Sequence, residues 1–443
     1  MLGFEKGTIN VIRLSITFML QFFAYMSQEF IQEPLIETIS RNTNDEIDSH
    51  AGYNSFAIMY FFFTISCLFV TPVVERISAK WSMVLGILTY MIFQAGFLNL
   101  NPISLYISSG LLGVGSALTW IGQGKYLTEN CTGSTIERNS SMMWVILKLS
   151  LLSGGIFLLY SFQHQTLIEV VQNETINYIT ILFLSIYFLA LLNTLLLPLP
   201  AYQPKNRKIE SFGGTLASTF KIMSTIPMSL LSIIFIYAGF SRSFWIAIYP
   251  TCIKFTSKLG ENTTKLLAMS CISSGIGQVS SGFLMAIIGK NARKIGRDVI
   301  LLIAVIIHLF VFFMIFLHFP IDAPLKTTDQ VGLFAPSIEL AMLSSLFLGF
   351  GDAIIQTQIY SFLCDGYSKE SSHAFALFKF YSAASSTLAF FLSKYFTLPM
   401  HLALYSIFAV FSAFSAILAQ RKYFYKIRHF QPDCIEIYTV DKK

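Results

Sequence analysis

Leu112-Gly113-Val114-Gly115-Ser116-Ala117 returns in the second half of the chain as Leu348-Gly349-Phe350-Gly351-Asp352-Ala353. Each copy lies in a long apolar run, and each run is fourth in a series of six. Working outward, twelve such runs fill the chain, at 8–30, 53–74, 82–100, 103–125, 141–161, 177–198, 226–250, 266–288, 298–318, 338–363, 374–396 and 400–420. Two further matches support a duplication. Glu75-Arg76 followed by Lys80, after run two, faces Gly289 to Arg297 after run eight. Leu147-Lys148 in run five faces Phe378-Lys379 in run eleven, at nearly the same spacing as the glycine strings. Small residues at helical spacing let helices approach closely, so the paired glycines read equally as packing or as a sliding contact.

The runs have membrane length. A hydrocarbon core about 30 Å thick is crossed by about 20 helical residues, because no backbone polar group can stay unpaired there. With 54% hydrophobic and 12% charged residues, the chain lies far from the roughly 25% charge of soluble domains. The first run lacks a small-residue cleavage site and is read as a retained helix. Most Lys and Arg, including Lys6, Arg76, Lys80, Lys125, Arg138, Lys205, Arg297, Arg421 and Lys422, fall on the N-terminal side of alternating loops. The positive-inside rule then puts both termini in the cytosol. The formal charge of +6 is a topology signal and a contact with the lipid bilayer, not a nucleic-acid footprint.

The polar stretch between the copies, from Tyr202 to Ser211, reads as a linker. The expected organisation is an N-terminal six-helix bundle over 1–200, a cytosolic linker over 201–225, a C-terminal six-helix bundle over 226–420 and a cytosolic tail over 421–443. This is an all-α membrane protein of the major facilitator superfamily fold, with 12 transmembrane helices in two pseudo-symmetric halves.

Gly113 to Thr128, Glu137 to Ser140 and Ala376 to Phe380 together resemble the Unc-93-like family, in particular its orphan major-facilitator-domain branch. The string Trp120 to Thr128 is the most specific part. The resemblance implies regulation or escort of a membrane partner such as a potassium channel or receptor. A solute transporter for a small organic or anionic ligand, working by alternating access, is the other reading. The superfamily's loop motif, Gly-x-x-x-Asp-Arg-x-Gly-Arg-Lys, is altered: Thr71 replaces its glycine, Glu75 its aspartate, and Arg293 stands at the acid position of the second copy. Its acid latches the halves in the superfamily, so the degraded latch counts against a standard alternating-access cycle and toward the regulator reading.

Ionised groups at mid-bilayer cost about 2.5 to 3.5 kcal/mol on insertion scales, which marks Arg242, Asp352, Lys148 and Lys379 as candidates for a central cavity. Arg242 and Asp352 sit at similar depth and are placed to pair across the C-terminal half, as a structural tie or a ligand site. Lys379 is expected to snorkel toward the cytosol, and Lys148 either to bind helix-end carbonyls or to face an aqueous cavity that suits an anionic ligand or lipid headgroup. Gln21, Tyr25 and Gln28 recur on one helix face. Trp120, Gln123, Trp144, Gln356 and Gln358 add polar and aromatic surface, either for a small-molecule ligand or as interhelical hydrogen bonds. His308 reads as a packed or bonded histidine. The external sequons Asn173 and Asn262 are glycan candidates. No catalytic constellation, metal-ligand spacing or cofactor motif stands out, so an enzyme is not expected. The membrane is left open between plasma membrane and endomembrane.

Overall fold

The computed structural model describes residues 5–42, 47, 51–162, 173–202, 211–260, 263–288, 295–393 and 395–423. Twelve long helical stretches run through them. In the first half they are Lys6–Asn42, Ala51–Phe69 continuing into Thr71–Ala95, Pro102–Thr128, Ile136–Phe162 and Asn173–Leu195. The second and third spans share the merged helix, which breaks at Ser78. The second half has Ile226–Ser243 extended to Phe255, then Thr263–Ile288, Arg297–His318, Ile338–Gly366, Ser371–Leu392 and Leu398–Lys422. A short helix, Phe212–Met223, occupies the linker.

Ten of these helices are long and apolar enough to cross a membrane. Span two contributes a shorter apolar helix, Asn54–Phe69. Span eight is diluted by serines, and the packing explains why. Ser270 shares a 2.8 Å hydrogen bond with Ser345 of span ten, and Ser274 donates to the Ser345 carbonyl at 3.0 Å. Those hydroxyls are buried between helices, where partners offset the cost of removing them from water.

The repeat is visible in the helix ends. Asn101 caps span four by accepting from Ser104 N at 2.9 Å, and Ser337, at the matching place in the second half, caps span ten from Leu340 N at 3.1 Å. A side-chain oxygen there satisfies an amide with no intrahelical partner. The glycines also repeat. A Cβ on Gly113 would strike the Met59 carbonyl of span two, and one on Gly115 would strike Thr89 of span three. In the other half, Gly349 meets the Ser274 carbonyl of span eight and Gly351 the His308 ring of span nine. The close-packing reading of the glycines therefore holds in both halves.

Between halves, span two packs on span eleven and span five on spans eight and ten. The five–eight seam is tight because a Cβ on Gly275 would lie 3.2 Å from Leu152, with Gly155 and Gly282 in similar contacts.

Both described ends of the chain lie at the same end of the bundle. Asn10 bonds Asn130 at 2.8 Å, Thr128 meets Cys364 at 3.3 Å, Arg297 pairs with Asp365 at 3.0 Å and Arg421 with Asp298 at 3.7 Å. These contacts form one continuous layer.

Candidate functional site: a cationic chamber between the halves

The chamber forms where spans one, two, three, four, five, seven, ten and eleven converge. Its walls are Phe22, Tyr25, Met59, Tyr60, Phe63, Tyr90, Trp120, Trp144, Ala238, Phe378 and Ala383, with Ser116, Gln356, Ser382 and Ser386 between them. Three cations enter it: Lys148, Arg242 and Lys379. The rings pack on one another, with Phe22 at 4.9 Å from Trp120 and Trp144 edge-on to Tyr360 at 5.0 Å.

The cations are held differently. Lys148 Nζ lies 4.0 Å from Asp352 Oδ2, an ion pair that crosses from the N-terminal to the C-terminal half, with both side chains buried. It also sits 5.1 Å from the centre of the Trp144 ring and 5.7 Å from that of Trp245. Arg242 lies beside the Tyr60 hydroxyl, with Glu29 of span one near enough to act on it electrostatically. Lys379 lies 3.9 Å from the Trp120 ring centre and 4.6 Å from that of Phe378. A ring face attracts a cation through its quadrupole but cannot neutralise it.

Three expectations are corrected here. Arg242 and Asp352 do not pair: Arg242 reaches across to Tyr60, whereas Asp352 takes Lys148. Lys148 is held by this carboxylate instead of helix-end carbonyls. Lys379 does not snorkel: at 8% exposure it points into the aromatic interior, since the Trp120 face lies within its reach.

The polar candidates divide. Tyr25, Trp120 and Gln356 line the chamber. Gln123 lies just beyond the chamber, accepting from Tyr360 Oη at 3.0 Å. Gln28 accepts from Gln94 at 3.3 Å and Gln358 reaches Met285 Sδ at 3.8 Å, so both join helices instead of lining the space. Gln21 is fully buried with neither amide atom bonded among the described residues. His308 bonds Tyr237 Oη at 2.6 Å and the Leu348 carbonyl at 3.1 Å, a structural tie as expected. The Asn173 side chain and Asn262 lie outside the described residues.

Tyr60 and Ser116 went unnoticed in the sequence. Tyr60 sits within an apolar run that carries no signal. Ser116 carried one, since it occupies the repeat position of Asp352.

A latch closes the end of the bundle that carries both described termini. Glu75 pairs with Lys125 at 3.1 Å and accepts a hydrogen bond from Ser372, in the first turn of span eleven. The helix dipole there favours an anion. Despite the altered motif, Glu75 makes the contact between halves, because a glutamate keeps the charge and gains one methylene of reach.

A family model described as "Ion channel regulatory protein UNC-93" matches residues 43–417. "UNC93-like protein MFSD11" of Xenopus laevis is 30% identical over 435 residues, covering 93% of this chain and 95% of that protein. "Protein unc-93 homolog A" of Bos taurus is 25% identical, covering 95% and 94%. Among solved structures, the transporter FucP in its outward conformation superposes with a TM-score of 0.65 at 12% identity, over 94% of this chain and 100% of that one. The human organic anion transporter MFSD10 gives 0.67 at 11% identity, with the same coverage. Those two likenesses establish the fold. The family model is described by ion-channel regulation, and the two solved structures by transport. The chain is an integral multi-pass membrane protein that belongs to the UNC-93 family and carries the major facilitator fold.

Proposed function

We propose that the chain binds a small organic solute in the chamber and passes it across the membrane by alternating the two halves around it. The observation that carries this reading is the Lys148–Asp352 pair. It joins span five to span ten at the wall of the chamber, where rocking of the halves makes and breaks contacts. A purely structural ion pair has no reason to straddle a moving seam. FucP and MFSD10, both named as transporters, agree with this reading in architecture. Flux in proteoliposomes tests it: a screen of organic solutes should yield one that is taken up, and Asp352→Asn should remove that uptake. Uptake of no solute, or uptake indifferent to Asp352→Asn, sinks the reading.

The family's description favours a second role, regulation or escort of a membrane partner such as a potassium channel or receptor. Affinity capture of a channel by the chain, unchanged by Asp352→Asn, supports this role independently of flux.

The same reading makes the end with both termini cytosolic. Lys125, Arg138, Arg297, Arg421 and Lys422 lie there, and positive residues are retained on that side. The division at 1–200 and 226–420, the glycans on Asn173 and Asn262, and residence in the plasma membrane or an endomembrane belong to this proposal. Glycosidase sensitivity of the expressed chain tests the orientation.

A further inference from the structure

The lysines of spans five and eleven are repeat partners, and so are Ser116 and Asp352 of spans four and ten. Symmetry therefore relates two crossings of the seam. One joins Lys148 of the first half to Asp352 of the second. The other sets Lys379 of the second half and Ser116 of the first on the wall of the same chamber. Only the first crossing contains an acid.

Asp352 lies 4.0 Å from Lys148. Ser116, at the equivalent place, is a neutral hydroxyl spent on Tyr90 at 2.9 Å. Lys379 is more than nine-tenths buried, and among the described residues no carboxylate lies within ion-pair distance of it. Ser116 and Lys379 both line the chamber. A buried ammonium set among ring faces is costly, and a carboxylate entering beside it removes that cost.

We propose that the chamber binds an organic anion with a flat apolar body, whose carboxylate pairs with Lys379 as Asp352 pairs with Lys148. This rests on the solute-binding reading above and names its substrate class. Arg242 adds a second positive group to the same space. A cationic solute would meet Lys379 and Arg242, and the residues lining the chamber include no Asp or Glu to receive it. A neutral polyol would leave the Lys379 charge uncompensated. The Phe22, Trp120 and Trp144 rings suit a planar ring, through offset or edge-on stacking.

The test uses the full chain in lipid nanodiscs. Probes are benzoate, 4-hydroxyphenylacetate and indole-3-acetate, each beside its primary amide, with benzylamine as the cation. Binding is read from thermal stabilisation and from tryptophan fluorescence. At least one carboxylate should bind, with its amide weaker by about 10- to 100-fold, the range for losing a charge-assisted hydrogen bond. Lys379→Gln should weaken the carboxylate by a similar factor, and Lys379→Arg should retain it. The decisive variant is Ser116→Asp, which supplies the acid missing from the repeat. It should abolish carboxylate binding, while Ser116→Asn, of nearly equal size and no charge, preserves it. If Lys379→Gln fails to fold, the Ser116 pair decides.

Carboxylate binding unchanged in Ser116→Asp overturns the proposal. Amide or benzylamine binding equal to carboxylate binding, and lost on Trp120→Ala, overturns the anion assignment while leaving the chamber as a solute site. Failure of every probe to bind overturns the proposal, and flux of some other solute would then show that the carrier reading outlives it.

Discussion

Spans four and ten carry the same L-G-x-G-x-A string, yet only the glycines do the same work in both. Gly113 and Gly349 let the neighbouring helix approach to backbone contact, while Gly115 and Gly351 accommodate a side chain. The fifth position parts company: Ser116 bonds inside its own half to Tyr90, whereas Asp352 reaches the other half to Lys148. The lesson is that duplication has kept the scaffold symmetric and let the charges diverge. Packing constrains both copies equally, since a Cβ has no room in either. A buried ion pair is constrained only by its partner, so one copy can lose its acid if something else meets the lysine.

Breaking the charged side of this comparison should have the largest effect. Asp352→Asn leaves Lys148 buried without a carboxylate and is expected to cost about 3 to 5 kcal/mol, read as lost thermal stability in nanodiscs. Removing both charges, as Asp352→Asn with Lys148→Met, should recover a substantial part of that loss. A double variant as unstable as the single one would mean that the pair itself contributes more than its burial costs.

The glycines sharpen the symmetric side. Gly113→Ala and Gly349→Ala place a methyl against backbone carbonyls, and each should cost about 1 to 3 kcal/mol or more by overpacking. Gly115→Ala meets the Cβ as well as the hydroxyl of Thr89, and Gly351→Ala meets the His308 ring tied to Tyr237 and the Leu348 carbonyl, so neither neighbour can turn aside and each variant should cost about as much as its neighbour. Unfolding of the four variants side by side checks this. A large difference between halves at matched positions would break the claim that packing is shared.

The smallest effect belongs to the turns between spans two and three and between spans eight and nine. Ser78 has φ 76°, and its counterpart in the second half, Gly296, has φ 103°. Only the second is the residue that such a backbone favours. Ser78→Gly should stabilise the fold by about 1 kcal/mol, and Gly296→Ser should destabilise it by a similar amount. Equal and negligible effects would mean that the two turns relax independently of the repeat.

Much of the architecture was legible in the chain. Twelve apolar runs correspond to twelve helical stretches, the repeated glycine strings mark the two halves, and the resemblance carried by Trp120 to Thr128 agrees with the matched family. Helix length and the ban on unpaired backbone in hydrocarbon are local constraints, so composition is enough to reveal them. The π-helical turn Phe244–Ile248 of span seven was less visible, though its cause is local too: Pro250 has no amide to offer the Ile246 carbonyl.

Which charges meet was not legible. Depth along a helix placed Arg242 beside Asp352, but the partner of each is set by rotation about the helix axes and by the docking of two halves that are distant in sequence. Lys379 shows this most clearly, since its length permits an aqueous route and only the position of the Trp120 face draws it inward. The sequence alone determined the twelve spans, the duplication and the family, because each depends on residues near one another in the chain. The tertiary structure alone decided that Lys148 has an acid while Lys379, among the described residues, has none at ion-pair distance, because an ion pair across a seam exists only once both of its sides are assembled.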